Sequence, residues 1–261
     1  MRLRAWPLLF LTTVGLPLAA RAEFQALTLS TPRGAALSVL ADWPDPERFG
    51  PGPYPTLVLA SGAGYHQRMP LQATLAEALS AAGVGVVRFD WAYFSAQGQP
   101  SDDLAPERED LQTVLAHVRG LKHVDVDRLT VAGKSLGSLV AWQVFRADPD
   151  VSRAVLLTPL CSRSTDGTLQ SVAAERYPGV NGRDARPALW VLGDRDPACA
   201  PAVLRAFLRE RPQDGVRELE GDHGLERRDL PAPVARARRA RAHDEAAQAV
   251  LQFTLGDGRA P

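Results

Sequence analysis

The stretch LTVAGKSLGSLVAWQVF, residues 129–145, changes character at its middle. Its first residues are a branched apolar run of the kind that forms strands. After Gly137 the apolar residues recur at helical spacing. Between the two runs stands Ser135, with Gly133 and Gly137 on either side. A serine here has two uses. Its hydroxyl can cap the start of a helix, or the run G-x-S-x-G can form a nucleophile elbow, a sharp strand-to-helix turn that presents the serine oxygen. The 12 serines and 21 glycines of this chain would supply about 0.08 such matches by chance, so the motif suggests and the remaining sequence decides.

Working outward, apolar strand-like runs alternate with helix-like segments. Residues 24–30 and 36–41 read as a hairpin around Thr31-Pro32-Arg33-Gly34, and 56–60 (TLVLA) as a strand that ends in SGAG, residues 61–64. A helix is expected over 71–82, a strand over 84–89 and a helix over 107–119, whose apolar face carries Leu111, Val114, Leu115 and Val118. Then come a strand (128–132), a helix (136–146), a strand (153–158), a long connection with a short helix near 169–176, a strand (188–193), a helix (201–210), a strand (215–220) and a helix (243–253). Strands separated by helices in this way predict an α/β fold with a mostly parallel, doubly wound sheet of about seven or eight strands. Helices should cover both faces, because the strands are continuously apolar. The connection after residue 158 has room for only a minimal lid. One domain over 23–261 is expected.

Thirty basic and thirty acidic side chains cancel, which removes the electrostatic case for a nucleic-acid partner. At the N-terminus Arg2 and Arg4 precede a short apolar run broken by Pro7 and Pro17, followed by Ala20-Arg21-Ala22. These are the parts of a signal peptide over 1–22 with cleavage after Ala22, and the run is too short for a membrane anchor. The mature chain should therefore be periplasmic or secreted, with no stable membrane anchor. In an oxidising compartment Cys161 and Cys199 can form a disulfide, although two buried thiols are the alternative. The arginine-rich run 235–245 reads as a solvated approach to the last helix, with Asp244 and Glu245 at the helix start.

In an open α/β sheet, ligands bind beyond the carboxyl ends of the strands. Ser135 follows one strand, Asp194 and Asp196 follow the 188–193 strand, and His223 follows the 215–220 strand. Ser, Asp, His is the chain order that goes with a G-x-S-x-G elbow. His223 would take the Ser135 proton and a carboxylate would fix the imidazole. Asp196 lies further out on its loop and has the better reach, with Asp194 as the alternative. Oxyanion donors should be the amides of Leu136 and, from the SGAG loop, Ala63. Tyr65, His66, Trp91 and Tyr93 are expected to line an open mouth. No metal or other cofactor is required by this chemistry.

The motifs SGAG, VVRFDWAY, GKSLGS, GDRDP and GDHG, in this order over about 55–255, resemble small α/β-hydrolases related to dienelactone hydrolase. They are most similar to a bacterial family whose animal relatives include a testis-expressed hydrolase-like protein and a subunit of the NSL acetyltransferase complex. The resemblance implies an α/β-hydrolase fold with Ser135, Asp196 and His223 as catalytic residues. This chain departs from the family in having Ser61 where His is usual, and Gly224-Leu225 where an aromatic commonly follows the base. The reading is an exported serine hydrolase acting on a small-molecule carboxylic ester or thioester. A serine peptidase or amidase, or a non-catalytic binding protein of the same fold, are the alternatives.

Overall fold

The computed structural model describes residues 23–179 and 184–256. The signal-peptide segment expected over 1–22 lies outside them. In chain order the elements are β1 (Glu23–Ser30), β2 (Ala36–Trp43), α1 (Pro46–Phe49), β3 (Tyr54–Ala60), α2 (Pro70–Ser80), β4 (Gly85–Phe89), α3 (Ala92–Ser95), α4 (Ala105–Arg119) and β5 (Val124–Lys134). There follow α5 (Leu136–Ala147), β6 (Arg153–Leu157), β7 (Ser162–Thr165), β8 (Thr168–Ser171), α6 (Ala173–Arg176), β9 (Ala188–Gly193), α7 (Pro201–Phe207), a 3-10 turn (Leu208–Glu210), β10 (Gly215–Leu219) and α8 (Ala232–Leu255).

Eight strands form one sheet in the order β1-β2-β4-β3-β5-β6-β9-β10. β1, β2 and β4 pair antiparallel, and every pair from β4 to β10 is parallel. Successive residues of each parallel strand serve opposite cores. Val58, Val131, Leu156 and Trp190 pack with α4 and α5 on one face, while Leu57, Leu59, Val155 and Val191 pack with α2 and α8 on the other. This two-sided burial is why the strands read as unbroken apolar runs rather than alternating ones.

Two local expectations are corrected. In place of one short helix near 169–176 there is a hairpin, β7–β8, followed by α6. Its two-residue turn is Asp166-Gly167, at φ +51° and +76°, the Asp-Gly pairing that such hairpins favour. The last helix starts at Ala232, so Asp244 and Glu245 lie in its middle, not at its start. Its first ten residues are largely exposed, which erases the apolar stripe that would have marked them. Alanine and arginine favour helix, and Arg238–Glu220, Arg239–Glu226 and Arg241–Glu245 ion pairs at 3.0, 2.9 and 2.8 Å tie that exposed face together.

Candidate active site

β5 ends at Lys134 and α5 begins at Leu136, so Ser135 alone makes the reversal. It does so at φ +53° and ψ −116°, a conformation that an L-residue holds only when its surroundings enforce it. The Ser135 amide donates to the Leu157 carbonyl (2.9 Å), and the Ser135 carbonyl accepts from the Ser138 amide (2.9 Å). The Ser138 hydroxyl also donates to that carbonyl (2.5 Å), so it accepts from the Tyr177 hydroxyl at 2.8 Å. Tyr177 in turn accepts from the Leu160 amide (2.7 Å), and its complete burial raises its phenol pKa. The two flanking glycines are a steric requirement. A Cβ on Gly133 would sit 2.0 Å from the Gly137 carbonyl oxygen, and one on Gly137 would sit 2.6 Å from that of Ser61.

Ser135, His223 and Asp196 come together at the carboxyl edge of the sheet. His223 Nε2 lies 2.9 Å from Ser135 Oγ, and His223 Nδ1 lies 2.8 Å from an Asp196 carboxylate oxygen. The Asp196 side chain is inaccessible to solvent, and its other oxygen accepts from the Ala198 amide at 2.8 Å. With the carboxylate on Nδ1, the tautomer that fits leaves Nε2 free to accept the serine proton. Asp194 is used differently: it accepts from the Gly221 amide (2.9 Å) and so anchors the base of the histidine loop. Asp222 accepts from the amides of Gly224 (2.7 Å) and Glu226 (3.2 Å), closing the loop on itself.

Cys161 and Cys199 are joined in a disulfide with Cα atoms 4.5 Å apart, both fully buried. Beside it the Ser162 amide donates to Ala198 O (2.8 Å) and the Ala200 amide to Ser162 Oγ (3.0 Å). The exit of β6 is thereby fastened to the loop that carries Asp196.

The Leu136 amide stands at the first position of α5, where no intrahelical acceptor exists and the helix dipole favours negative charge. The SGAG loop packs against the elbow: a Cβ on Gly62 would be 3.3 Å from both Lys134 O and Ser135 Cβ. A turn closed by Tyr65 N donating to Gly62 O (3.2 Å) leaves Ala63 at its exposed crest, in the same locality as the elbow. Ser61, at the position where the resemblance implied histidine, is fully buried, so the residue itself does not reach the mouth.

The mouth expectation is corrected in part. Trp91 is fully buried and does not line it; its indole N–H donates to Ser61 O (2.8 Å) and its ring meets Phe89 edge-on. It supports the SGAG loop from beneath, because an aromatic that follows an interior strand is drawn into the core. Tyr93 does line an open cavity of about 520 Å³, with Gly64, Asp90, Phe94, Gln97 and Gln99. Burial pushes the Tyr93 phenol up to about 12. His66 stands beside Phe94 with ring centroids 6.4 Å apart, and Tyr65 is turned onto the ammonium of Lys134, 4.5 Å from its ring centre. Sequence reasoning passed over Lys134, Ser138 and Tyr177. Only Lys134 carried a signal, as one of two lysines in a chain that otherwise uses arginine. Among the described residues no group of three or more His, Cys, Asp or Glu could hold a metal ion, and no helix is long and apolar enough to cross a membrane.

In comparison with known proteins, residues 53–254 match the family model described as an alpha/beta hydrolase domain. A stretch of 86 residues is 36% identical to the quorum-quenching protein AidA of Acinetobacter baumannii. That match covers 32% of this chain and 28% of AidA, so the chain spans little more than a quarter of the curated relative. Among solved structures, a lidless serine hydrolase from Xanthomonas campestris superposes with a TM-score of 0.61 at 21% identity, covering 89% of this chain and 94% of the other. A serine hydrolase homologue from Coxiella burnetii gives 0.64 at 20% identity (86% and 96%), and Est1E from Butyrivibrio proteoclasticus gives 0.62 at 17% (88% and 97%). At those identities the likeness speaks for the fold.

Proposed function

The chain belongs to the alpha/beta hydrolase domain family, and from that premise we propose that it is an exported, esterase-like serine hydrolase cleaving a carboxylic ester or thioester through an acyl-enzyme at Ser135. One observation carries this reading: the unbroken contact from Ser135 Oγ through His223 to the buried Asp196 carboxylate. Ser135 Oγ attacks the acyl carbonyl carbon while its proton passes to His223 Nε2. The Asp196 carboxylate, held on Nδ1, stabilises the imidazolium so formed. The amides of Leu136 and Ala63 receive the negative charge on the carbonyl oxygen. His223 then returns the proton to the departing alcohol or thiol. A water molecule, deprotonated by the same nitrogen, attacks the acyl group and releases Ser135.

The open cavity of about 520 Å³ beside the SGAG loop, lined by Gly64, Tyr93 and Phe94 rather than by Ser135 or His223, suits a compact substrate better than a long acyl chain. Short-chain p-nitrophenyl esters and acyl thioesters should therefore be turned over with kcat/KM at least about tenfold above long-chain esters. Aminoacyl anilides should be poorer still, since an amide carbonyl is less electrophilic than an ester and its amine must be protonated before it leaves. The partial likeness to a quorum-quenching protein brings an ester-containing quorum signal into the same panel. Faster cleavage of the anilides would replace the esterase reading with a peptidase, and no turnover of any member would favour a binding protein.

Export is proposed from the charged, apolar and A-x-A parts of residues 1–22, and the disulfide is consistent with an oxidising compartment. Intact-mass analysis of protein recovered from the cell envelope or medium should give a chain beginning at Glu23 and lighter by two hydrogens than the thiol form. A chain retaining Met1 would overturn this.

A further inference from the structure

Lys134, the second residue of G-x-S-x-G, is buried behind the candidate site and 2% exposed. Its ammonium donates to Thr158 Oγ1 at 3.2 Å and to the backbone carbonyl of His223 at 3.3 Å, and stands over the Tyr65 ring. One side chain thus joins four segments: the elbow, the exit of β6, the histidine loop and the loop that follows SGAG. Among the described residues no other donor reaches the His223 carbonyl. The histidine loop is fastened at its base by Asp194 and closed internally by Asp222, but neither bond touches His223 itself. Burying an ammonium costs solvation, and a hydrophobic residue of similar volume would fill this space without that cost. Burial pushes the lysine down to about 8, against the opposing influence of Asp196, Asp222 and Glu226, so it is charged at neutral pH. A cation kept in such a place without a buried ion-pair contact of its own points to a task other than stability.

Resting on the proposed role of Ser135 and His223, we propose that Lys134 is a positioning residue that holds the His223 main chain and so sets the reach of its imidazole to the Ser135 oxygen. The ring's two hydrogen bonds fix its orientation, and the lysine fixes the backbone from which the ring extends. Without the lysine the loop crest is free to shift, and misplacement by about an ångström lowers the rate by about 10- to 100-fold while leaving the substrate cavity intact.

The test compares wild type with Lys134→Met, which keeps the stem and removes the donor, and Lys134→Gln, which keeps a neutral donor. For each, ester kcat and KM, the rate of labelling by a fluorophosphonate, and Tm are measured. The expected result for Lys134→Met is a kcat and labelling rate about 10- to 100-fold lower, KM within about twofold, and Tm unchanged or raised. Lys134→Gln should recover part of the lost rate. Wild-type kcat in Lys134→Met overturns the proposal. So does a loss in both variants that merely follows a fall in Tm. Failure of the wild type to label would instead remove the serine-hydrolase reading on which the proposal stands.

Discussion

Ser135→Ala is expected to abolish covalent labelling by a fluorophosphonate and to lower ester kcat by roughly 10⁴- to 10⁶-fold, with KM little changed. The change removes one oxygen. It leaves the backbone bonds that impose φ +53°, because those run through the Ser135 amide and carbonyl rather than its side chain. Alanine suffers the same backbone strain as serine, so Tm should stay within a few degrees and a lost activity can be ascribed to chemistry. His223→Ala should cost a similar factor, since the two groups act as one unit and their effects do not add. Asp196→Asn should cost about 10⁴-fold, because an amide on Nδ1 can impose the wrong tautomer. Asp194→Ala makes the contrast. It deletes the acceptor for the Gly221 amide, a support for the loop and not a contact of the imidazole, so labelling should persist. Label surviving in Ser135→Ala would show that another nucleophile reacts.

What could be read from the chain before folding was whatever local periodicity and order encode. Parallel strands buried on both faces announce themselves, which is why 188–193 coincides with β9 and 56–60 falls within β3. The meeting of Ser135, Asp196 and His223 was legible because strand ends in a parallel sheet converge on one edge, so chain position alone brings them near. The choice of Asp196 over Asp194 was a matter of reach, and the 2.8 Å contact to His223 follows that logic. Trp91 failed because position after a strand does not say whether a side chain points to the mouth or the core. The exposed start of α8 failed because a solvated arginine-rich helix has no apolar stripe to detect. Asp166-Gly167 was a different case: its Asp-Gly hairpin signal stood in the sequence and went unused. Lys134 and the Ser138–Tyr177 brace depend on side chains 39 to 89 residues apart meeting, and no local pattern carries that.

Such long-range polar contacts also set the largest stability effect expected. Asp214→Ala should destabilise the protein by about 3–5 kcal/mol, read as a lower midpoint in urea. Asp214 and Arg211 are paired at 2.7 Å, and neither side chain is accessible to solvent. The Asp214 carboxylate receives Arg211 Nε (2.9 Å), the Ala188 amide (3.0 Å) and the Trp190 indole N–H (3.0 Å) as well. Removing it leaves a desolvated guanidinium without its counter-charge and two buried donors without acceptors. The guanidinium keeps its bonds to the carbonyls of Asp184 (3.1 Å) and Arg186 (2.9 Å), but these are neutral acceptors. Replacing both members, as in Arg211→Met with Asp214→Leu, should cost less than the single change, because no unpaired charge remains. An unchanged midpoint in Asp214→Ala would mean that water reaches the arginine and that the pair is not truly buried. The consequence for function is indirect and separable. Asp214 pins the start of β9, and β9 delivers Asp196 at its other end, so this edge of the sheet must be folded for the site to exist. In the folded population of Asp214→Ala, kcat should remain near wild type, whereas Ser135→Ala stays inactive however stable it is. That opposition distinguishes residues that hold the site together from the residue at which the chemistry is proposed to occur.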